Sequence, residues 1–361
     1  MRICILGTKE DFTNKSGKGV QRYMYELTKG LHKNKKITLI RKEYPTKYIG
    51  SLSLLFCALF SDLSRCNIIH NLEPRPLITL RKTNAIFVTT IHDFHPFLKP
   101  ELNPYDYLTI RGILGRYLVM LPGYKSALRS NYLIANSTQT RDEALKLGFD
   151  KTKIFVVPLG IDKRFINTPK IRNKHKSTFK VGYIGALSTT KNLELAINAF
   201  MKIPDKNMVF EIWGKKEDQF DKLEKLCKDD SRIKFMGFAP EIDLVGIYDS
   251  FDVFIHTSLY EGFGLPILEA QSRGVPVIIY TNGQIPSEVR KYCIEASDAN
   301  NIAKAIIDIR NGKFSKKRET EQIRYSRKFT WTRTINETIV IYKRILNITR
   351  NKSINNRISM V

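Results

Sequence analysis

Short apolar runs alternate with amphipathic stretches along most of the chain. RICILG (2–7), KITLI (36–40), NIIHN (67–71), AIFVTTIHD (85–93), NYLIANS (131–137) and KIFVVPLGI (153–161) are brief and mostly apolar. Such runs predict strands covered on both faces. Between them lie helical patterns. GVQRYMYELTKGLHK places Val20, Tyr23, Met24, Leu27 and Leu31 on one face. Further helices are expected over 49–63, over 105–129 and over TQTRDEALKLG, which ends at Gly148. The stretch 167–178 is polar and basic without apolar period, and reads as a linker.

The alternation then restarts. Strands are expected at FKVGYIG (179–185), MVFEIWG (208–214), IKFMGF (233–238), VFIHTS (253–258) and VPVIIY (275–280), with helices between them. Strands separated by helices of this length imply parallel βαβ units with right-handed crossovers. The fold class is therefore α/β, with two doubly wound Rossmann-like domains, 1–168 and 169–330. A cleft is expected at the carboxyl ends of the two sheets, where open α/β sheets bind ligands. The last segment predicts a helix over 331–349, with Ile335, Ile339, Tyr342 and Leu346 as its buried stripe. Residues 350–361 show no period and are expected to be disordered.

A chain of 361 residues suits two domains better than one. Its 42% hydrophobic content excludes global disorder. The longest apolar run, Ile49 to Phe60, is too short to span a bilayer and reads as a buried helix. Five scattered cysteines form no C-x-x-C pair, which fits a reducing cytoplasm. MRICILG reads as a first strand and not as a signal peptide. The net charge of +25 points to an anionic partner. Residues 1–50 carry a net +8 and residues 310–361 a net +11, so the surplus sits at the two ends.

The densest chemistry lies in HTSLYEGFGLPILEAQSRGVPVIIY (256–280). A strand runs into Glu261, then Gly262, Phe263, Gly264, Leu265 and Pro266, and then a helix. Glycines allow a close backbone approach, and Pro266 suits a first helical turn. Helix-start amides favour an anion such as phosphate. Glu269 follows Glu261 by eight residues, so both carboxylates could flank one ligand with vicinal hydroxyls. Among the histidines, His92 falls beside the expected cleft. His70 and His256 read as core residues. Glu241 and Asp243 read as helix caps. No Asp-x-Asp triplet occurs.

This stretch resembles the E-x7-E signature of retaining glycosyltransferases with the GT-B fold (family 4, group 1). SGKGVQRY resembles that family's glycine loop, TTIHDFHP its His-Asp turn, YIGALSTTKNLELAINAF its phosphate-binding start and FTWTRTINETIVIYKRIL its closing helix. The likeness runs from residue 2 to about 346. It implies an acceptor-binding N-terminal domain, a donor-binding C-terminal domain, and a final helix that crosses back to the first. It also implies roles. Glu261 faces the donor sugar and Glu269 the ribose. The amides of Phe263, Gly264 and Leu265 meet the diphosphate, and Lys191 neutralises it as it leaves. His92 stands between sugar and acceptor. Gly17 and Gly19 close the first loop over the phosphates, Gly185 lines the donor site and Phe238 touches the base. The family's arginine five residues before the lysine is Ala186 here, and Lys18 or Arg22 is a candidate substitute.

The function expected is transfer of a hexose from a nucleotide diphosphate sugar to a hydroxyl acceptor with retention of configuration. The acceptor is expected to be a lipid-linked glycan, a glycolipid or a surface polysaccharide. No cofactor and no metal is expected, and no nucleic acid is expected as partner. The basic ends suggest peripheral docking of a cytoplasmic enzyme on the anionic inner face of the cell membrane. The alternatives are a nucleotide-sugar epimerase of similar architecture and a non-catalytic basic nucleic-acid-binding protein.

Overall fold

The computed structural model of the chain describes residues 1–8, 12–13, 19–44, 63, 65–74, 84–94, 117, 121–168 and 178–358. The expected helix at 49–63, most of that at 105–129 and most of the 167–178 linker lie outside the described residues, as do Gly17 and Lys18. The described chain forms two compact units. One holds the residues up to Gly160 and those from Trp331 onward, and the other holds Ile161–Thr330.

The first unit carries β1 (Arg2–Thr8), β2 (Thr38–Tyr44), β3 (Ile68–Asn71), β4 (Ile86–Ile91), β5 (Tyr132–Ala135) and β6 (Ile154–Val156). They form a wholly parallel sheet in the order β2-β1-β3-β4-β5-β6. Ile3, Ile5, Ile68, Ile69, Val88 and Leu133 are fully buried, as a sheet covered on both faces requires. Helix Thr138–Lys146 starts at Ser137, whose side chain accepts from the Thr140 amide, an ordinary N-cap.

Trp331–Ile358 is one continuous helix of this unit. It packs on the helix Gly19–Lys33 at a close approach: a Cβ on Gly30 would lie 2.3 Å from Ile335 Cδ1. Tyr342 and Ile345 are fully buried, and Thr334 and Thr338 share their face. Thr334 Oγ1 donates to Pro158 O at 2.8 Å, and Thr338 Oγ1 to Thr334 O at 2.8 Å. The helix extends to Ile358, through the segment whose lack of apolar period suggested disorder.

The second unit carries β7 (Phe179–Ile184), β8 (Met208–Trp213), β9 (Ile233–Gly237), β10 (Val253–His256), β11 (Val277–Tyr280) and β12 (Ile294–Ala296). Their order is β12-β11-β10-β7-β8-β9, again all parallel. The order reverses between β7 and β10, which pair directly, Val253 with Val181 and Phe254 with Gly182. Loops leaving two such neighbours diverge and open a crevice at their carboxyl ends. The core beneath holds Leu193, Ala196, Ile197 and Phe200 of the helix Leu193–Met201 against Phe210 and Ile212. Each of the leucine, isoleucine and phenylalanine side chains contributes roughly 1.5–3 kcal/mol on burial.

Two features depart from the sequence reading. Helices Ala299–Arg310 and Lys316–Ser326 fill a stretch with no assigned elements. The second of them buries Gln322 and Ser326 where apolar residues would normally reveal a buried face. Eight of the fourteen basic residues of 310–361 lie in 310–330, within the second unit, so this charge divides between the units and does not gather on the first.

Candidate active site

In the second unit the crevice is built from two loops. The chain leaves β7 at Gly185, passes a single turn at Thr189–Lys191, and reaches Asn192, whose φ of 48° and ψ of 41° are left-handed. Asparagine tolerates that region better than most residues. This turn is laced to the loop after β10: Leu259 N donates to Thr190 O at 2.9 Å, and Thr257 Oγ1 to Lys191 O at 3.2 Å. The Thr189 amide also donates to Asp218 Oδ2 at 3.2 Å. Lys191 is thereby held on a scaffold fixed on both sides.

Its ammonium meets Glu261. Lys191 Nζ donates to Glu261 Oε1 at 2.6 Å, His256 Nε2 to the same oxygen at 2.8 Å and Ser258 Oγ at 2.7 Å. Burial would raise the Glu261 carboxyl, but the Lys191 charge, and then His256, outweigh it and hold the group well below the usual carboxylate range. An ionised carboxylate only accepts, so Nε2 of His256 carries the proton. Nδ1 of His256 is buried and has no hydrogen-bond partner among the described residues.

Glu261 leads through Gly262 and the buried Phe263 to Gly264, at φ 92°, which begins the helix Leu265–Ser272 with Pro266 in its first turn. The amides of Phe263 and Gly264 find no acceptor among the described residues. That of Leu265, as a first helical residue, has none within the helix. Glu269 sits one turn on, 4% exposed, and accepts from Tyr248 Oη at 2.9 Å. Glu269 is thus buried and Glu261 half-buried, and both are held by hydrogen bonds. Phe238, just beyond β9, is 59% exposed.

In the first unit His92 follows β4 and is buried against Tyr23, ring centroids 4.9 Å apart and edge-on. His92 Nε2 lies 3.0 Å from Leu72 O, which can only accept, so Nε2 carries the proton. Burial lowers the ring's pKa, and the imidazole is neutral. Nδ1 is left buried with no hydrogen-bond partner among the described residues. The His92 carbonyl accepts from Asn136 Nδ2 at 2.9 Å, which fixes the turn.

The structure joins Lys191, Glu261 and the helix start into one cluster, with Gly185 at the root of the lysine loop and Glu269 behind. Gly19 is an exposed first residue of its helix, and Gly17 lies outside the described residues. His256 is buried in its strand, as the sequence suggested, and its Nε2 also donates to Glu261, which the sequence did not show. Tyr248, Ser258 and Asp218 were not anticipated; Ser258 and Tyr248 stand within the flanking strand and helix patterns and carry no spacing signal of their own. Glu241 and Asp243 are corrected. Asp243 stands at a helix start with no side-chain capping bond, and Glu241 pairs with Arg164 at 3.7 Å. Among the described residues no cluster of three or more His, Cys, Asp or Glu is placed to hold a metal ion.

Comparison with known families bears on this arrangement. Residues 17–165 match the profile of Glycosyltransferase Family 4, and residues 165–329 that of Glycosyl transferases group 1. The chain belongs to the group 1 glycosyltransferases. O-antigen chain mannosyltransferase B of Escherichia coli is 27% identical to this glycosyltransferase over 274 residues, 71% of this chain and 70% of that protein. The solved sucrose-phosphate synthase from Thermosynechococcus elongatus superposes with a TM-score of 0.74 at 16% identity, covering 96% of this chain and 100% of that one. The Anabaena protein HepE, solved in complex with UDP-glucose, gives a TM-score of 0.68 at 16% identity over 95% and 99%. The glycosyltransferase therefore has the GT-B fold, with the two parallel six-stranded sheets described above.

Proposed function

We propose that this glycosyltransferase moves a hexose from a nucleotide diphosphate sugar to a hydroxyl acceptor with retention of configuration and without a metal ion. The observation that carries the reading is the cluster at the β7–β10 switch point: Lys191 on Glu261 Oε1, beside a helix start where the Phe263 and Gly264 amides have no acceptor among the described residues. A departing diphosphate gathers negative charge, and a fixed ammonium with helix-end amides stabilises it as it forms. Lys191 then exchanges Glu261 for phosphate, while His256 and Ser258 keep Glu261 in place toward the sugar. Glu269 accepts from the ribose hydroxyls, and Phe238 offers its exposed ring to the base. Gly185 lines the donor pocket, and Gly17 and Gly19 are assigned to phosphate binding by their match to the family's glycine loop. His92 supplies a neutral acceptor, Nδ1, to a substrate hydroxyl. The leaving phosphate acts as base for a same-face attack.

The acceptor in this reading is lipid-linked, a glycolipid or a growing surface glycan, in keeping with the name of the mannosyltransferase relative. The first unit exposes Lys29, Lys33, Lys35, Lys36, Lys343, Arg344 and Arg350. Each basic side chain near an anionic leaflet contributes about 1 kcal/mol, so a few suffice for peripheral docking at the cytoplasmic face. No helix among the described residues is long and apolar enough to cross a membrane.

The test is a thermal-shift series over nucleoside diphosphates and their sugars, followed by NMR assignment of the product anomer on a lipid-linked acceptor. One nucleoside diphosphate is expected to raise the melting temperature by mass action, and the product to keep the donor's configuration. A chain that no nucleotide stabilises overturns the proposal.

A further inference from the structure

Tyr248 lies on the helix Leu244–Ser250 and is fully buried. Its ring is wedged among Phe165 at 5.5 Å, Phe254 at 5.5 Å and Phe251 at 6.2 Å between centroids. The wedge leaves the phenol one direction, toward Glu269 Oε2 at 2.9 Å. Glu269 rises from a helix whose Ile267, Leu268 and Ala270 are fully buried, so its backbone is fixed as well.

A carboxylate on a flexible side chain discriminates poorly between hydroxyl patterns, because each rotamer satisfies a different one. A carboxylate pinned by a rigid donor presents its acceptor sites in one orientation. It accepts up to about four hydrogen bonds, so the phenol uses only part of its capacity. We infer that Tyr248 is the positioning residue that makes Glu269 selective for ribose over deoxyribose in the bound nucleotide. The inference rests on the donor-site reading above and adds to it a determinant of sugar selectivity outside the signature.

The experiment compares the full-length wild type, Tyr248→Phe, Glu269→Gln and the double variant. Each is titrated calorimetrically with UDP and GDP and with the 2′-deoxy and 3′-deoxy forms of both. The wild type is expected to bind at least one ribonucleotide about tenfold to a hundredfold more tightly than a deoxy counterpart. Tyr248→Phe narrows that ratio to about threefold or less, with affinity for the deoxy form unchanged. General damage to the fold weakens both ligands alike and leaves the ratio intact. If Tyr248→Phe does not fold, the double variant, which carries no buried charge at 269, is compared with Glu269→Gln alone, and the two are expected to show the same ratio. A wild type that binds no nucleotide, or does not distinguish the sugars, overturns the donor-site reading and this inference with it. A wild type that distinguishes them while Tyr248→Phe keeps the full ratio, or a double variant whose ratio departs from that of Glu269→Gln, overturns the role of Tyr248 alone.

Discussion

Lys191 Nζ lies 2.6 Å from Glu261 Oε1, although 70 residues separate the two along the chain. The pair forms because β7 and β10 are neighbours in the sheet and their outgoing loops are hydrogen-bonded to one another through Leu259 and Thr257. Neither side chain is free to drift: the lysine is followed by a left-handed Asn192, and His256 and Ser258 grip the glutamate. A cation so held needs little reorganisation when a diphosphate replaces the carboxylate.

Lys191→Ala is therefore expected to lower transferase turnover by about a hundredfold or more, with a smaller loss in nucleoside diphosphate affinity. Steady-state kinetics with the nucleotide sugar, beside calorimetry with the diphosphate, measure both. Turnover equal to wild type in that variant refutes the assignment.

The same pair sets an acid dependence. Glu261 is held well below its ordinary value of 4.5, so the unfolded chain binds the proton first as pH falls. The stabilisation is fully present above pH 4.5 and drains as the pH drops below that value. The stability difference between wild type and Glu261→Gln should then grow with pH up to about 4.5 and be level above it. Urea unfolding at a series of pH values reads this directly, and a difference that stays flat through the acid range contradicts the coupling.

Much of this fold was legible because parallel strands covered on both faces are nearly all apolar. VFIH at β10 and IIHN at β3 announce themselves even with a histidine at the edge of each run. The signature glutamates were legible through the glycines and proline between them. What stayed hidden was polar. Gln322 and Ser326 are buried at 0% exposure and bond to Val275 O and Gln322 O, so the helix Lys316–Ser326 shows no apolar stripe. On the closing helix Thr334 and Thr338 join the buried face beside the apolar stripe that the sequence does show. The contact of the buried His256 with Glu261 was hidden because a histidine inside an apolar strand is indistinguishable by pattern from one that also reaches a loop at the strand's end. Only the sheet order, which brings loops from distant segments together, shows that it meets Glu261.

The contact between Gly30 and Ile335 offers a packing test. A side chain at Gly30 would drive into Ile335, half-buried on the facing helix. Gly30→Val is expected to destabilise the first unit by about 2 kcal/mol through overpacking. Ile335→Ala in the same chain should recover part of that loss, since it vacates the colliding volume. A double-mutant cycle by chemical denaturation measures the coupling, and strict additivity would show that the helices meet elsewhere.

The buried His70 gives the first unit its own pH response. Its Nδ1 is hydrogen-bonded to the Tyr342 hydroxyl of the closing helix, and its Nε2 to Thr90 Oγ1 at 2.8 Å, with Tyr23 Oη a further 2.8 Å from that threonine. Burial, reinforced by His92, lowers the His70 pKa from 6.5 to about 3. Between those values the unfolded chain binds a proton that the folded one refuses, so stability rises with pH across that window. Acidification from 6.5 should cost about 1.4 kcal/mol per pH unit from this group, and His92 adds to it in the same direction. His70→Gln removes this group's share of the dependence, leaving that of His92, while keeping polar contacts to Thr90 and Tyr342. Tyr342→Phe instead lowers stability by about 1–3 kcal/mol at pH 7, because it strands a buried ring nitrogen. Guanidinium unfolding followed at pH 5, 6 and 7 separates the two, since only the His70 variant should flatten the slope. An unchanged slope in His70→Gln would place the acid response on another group.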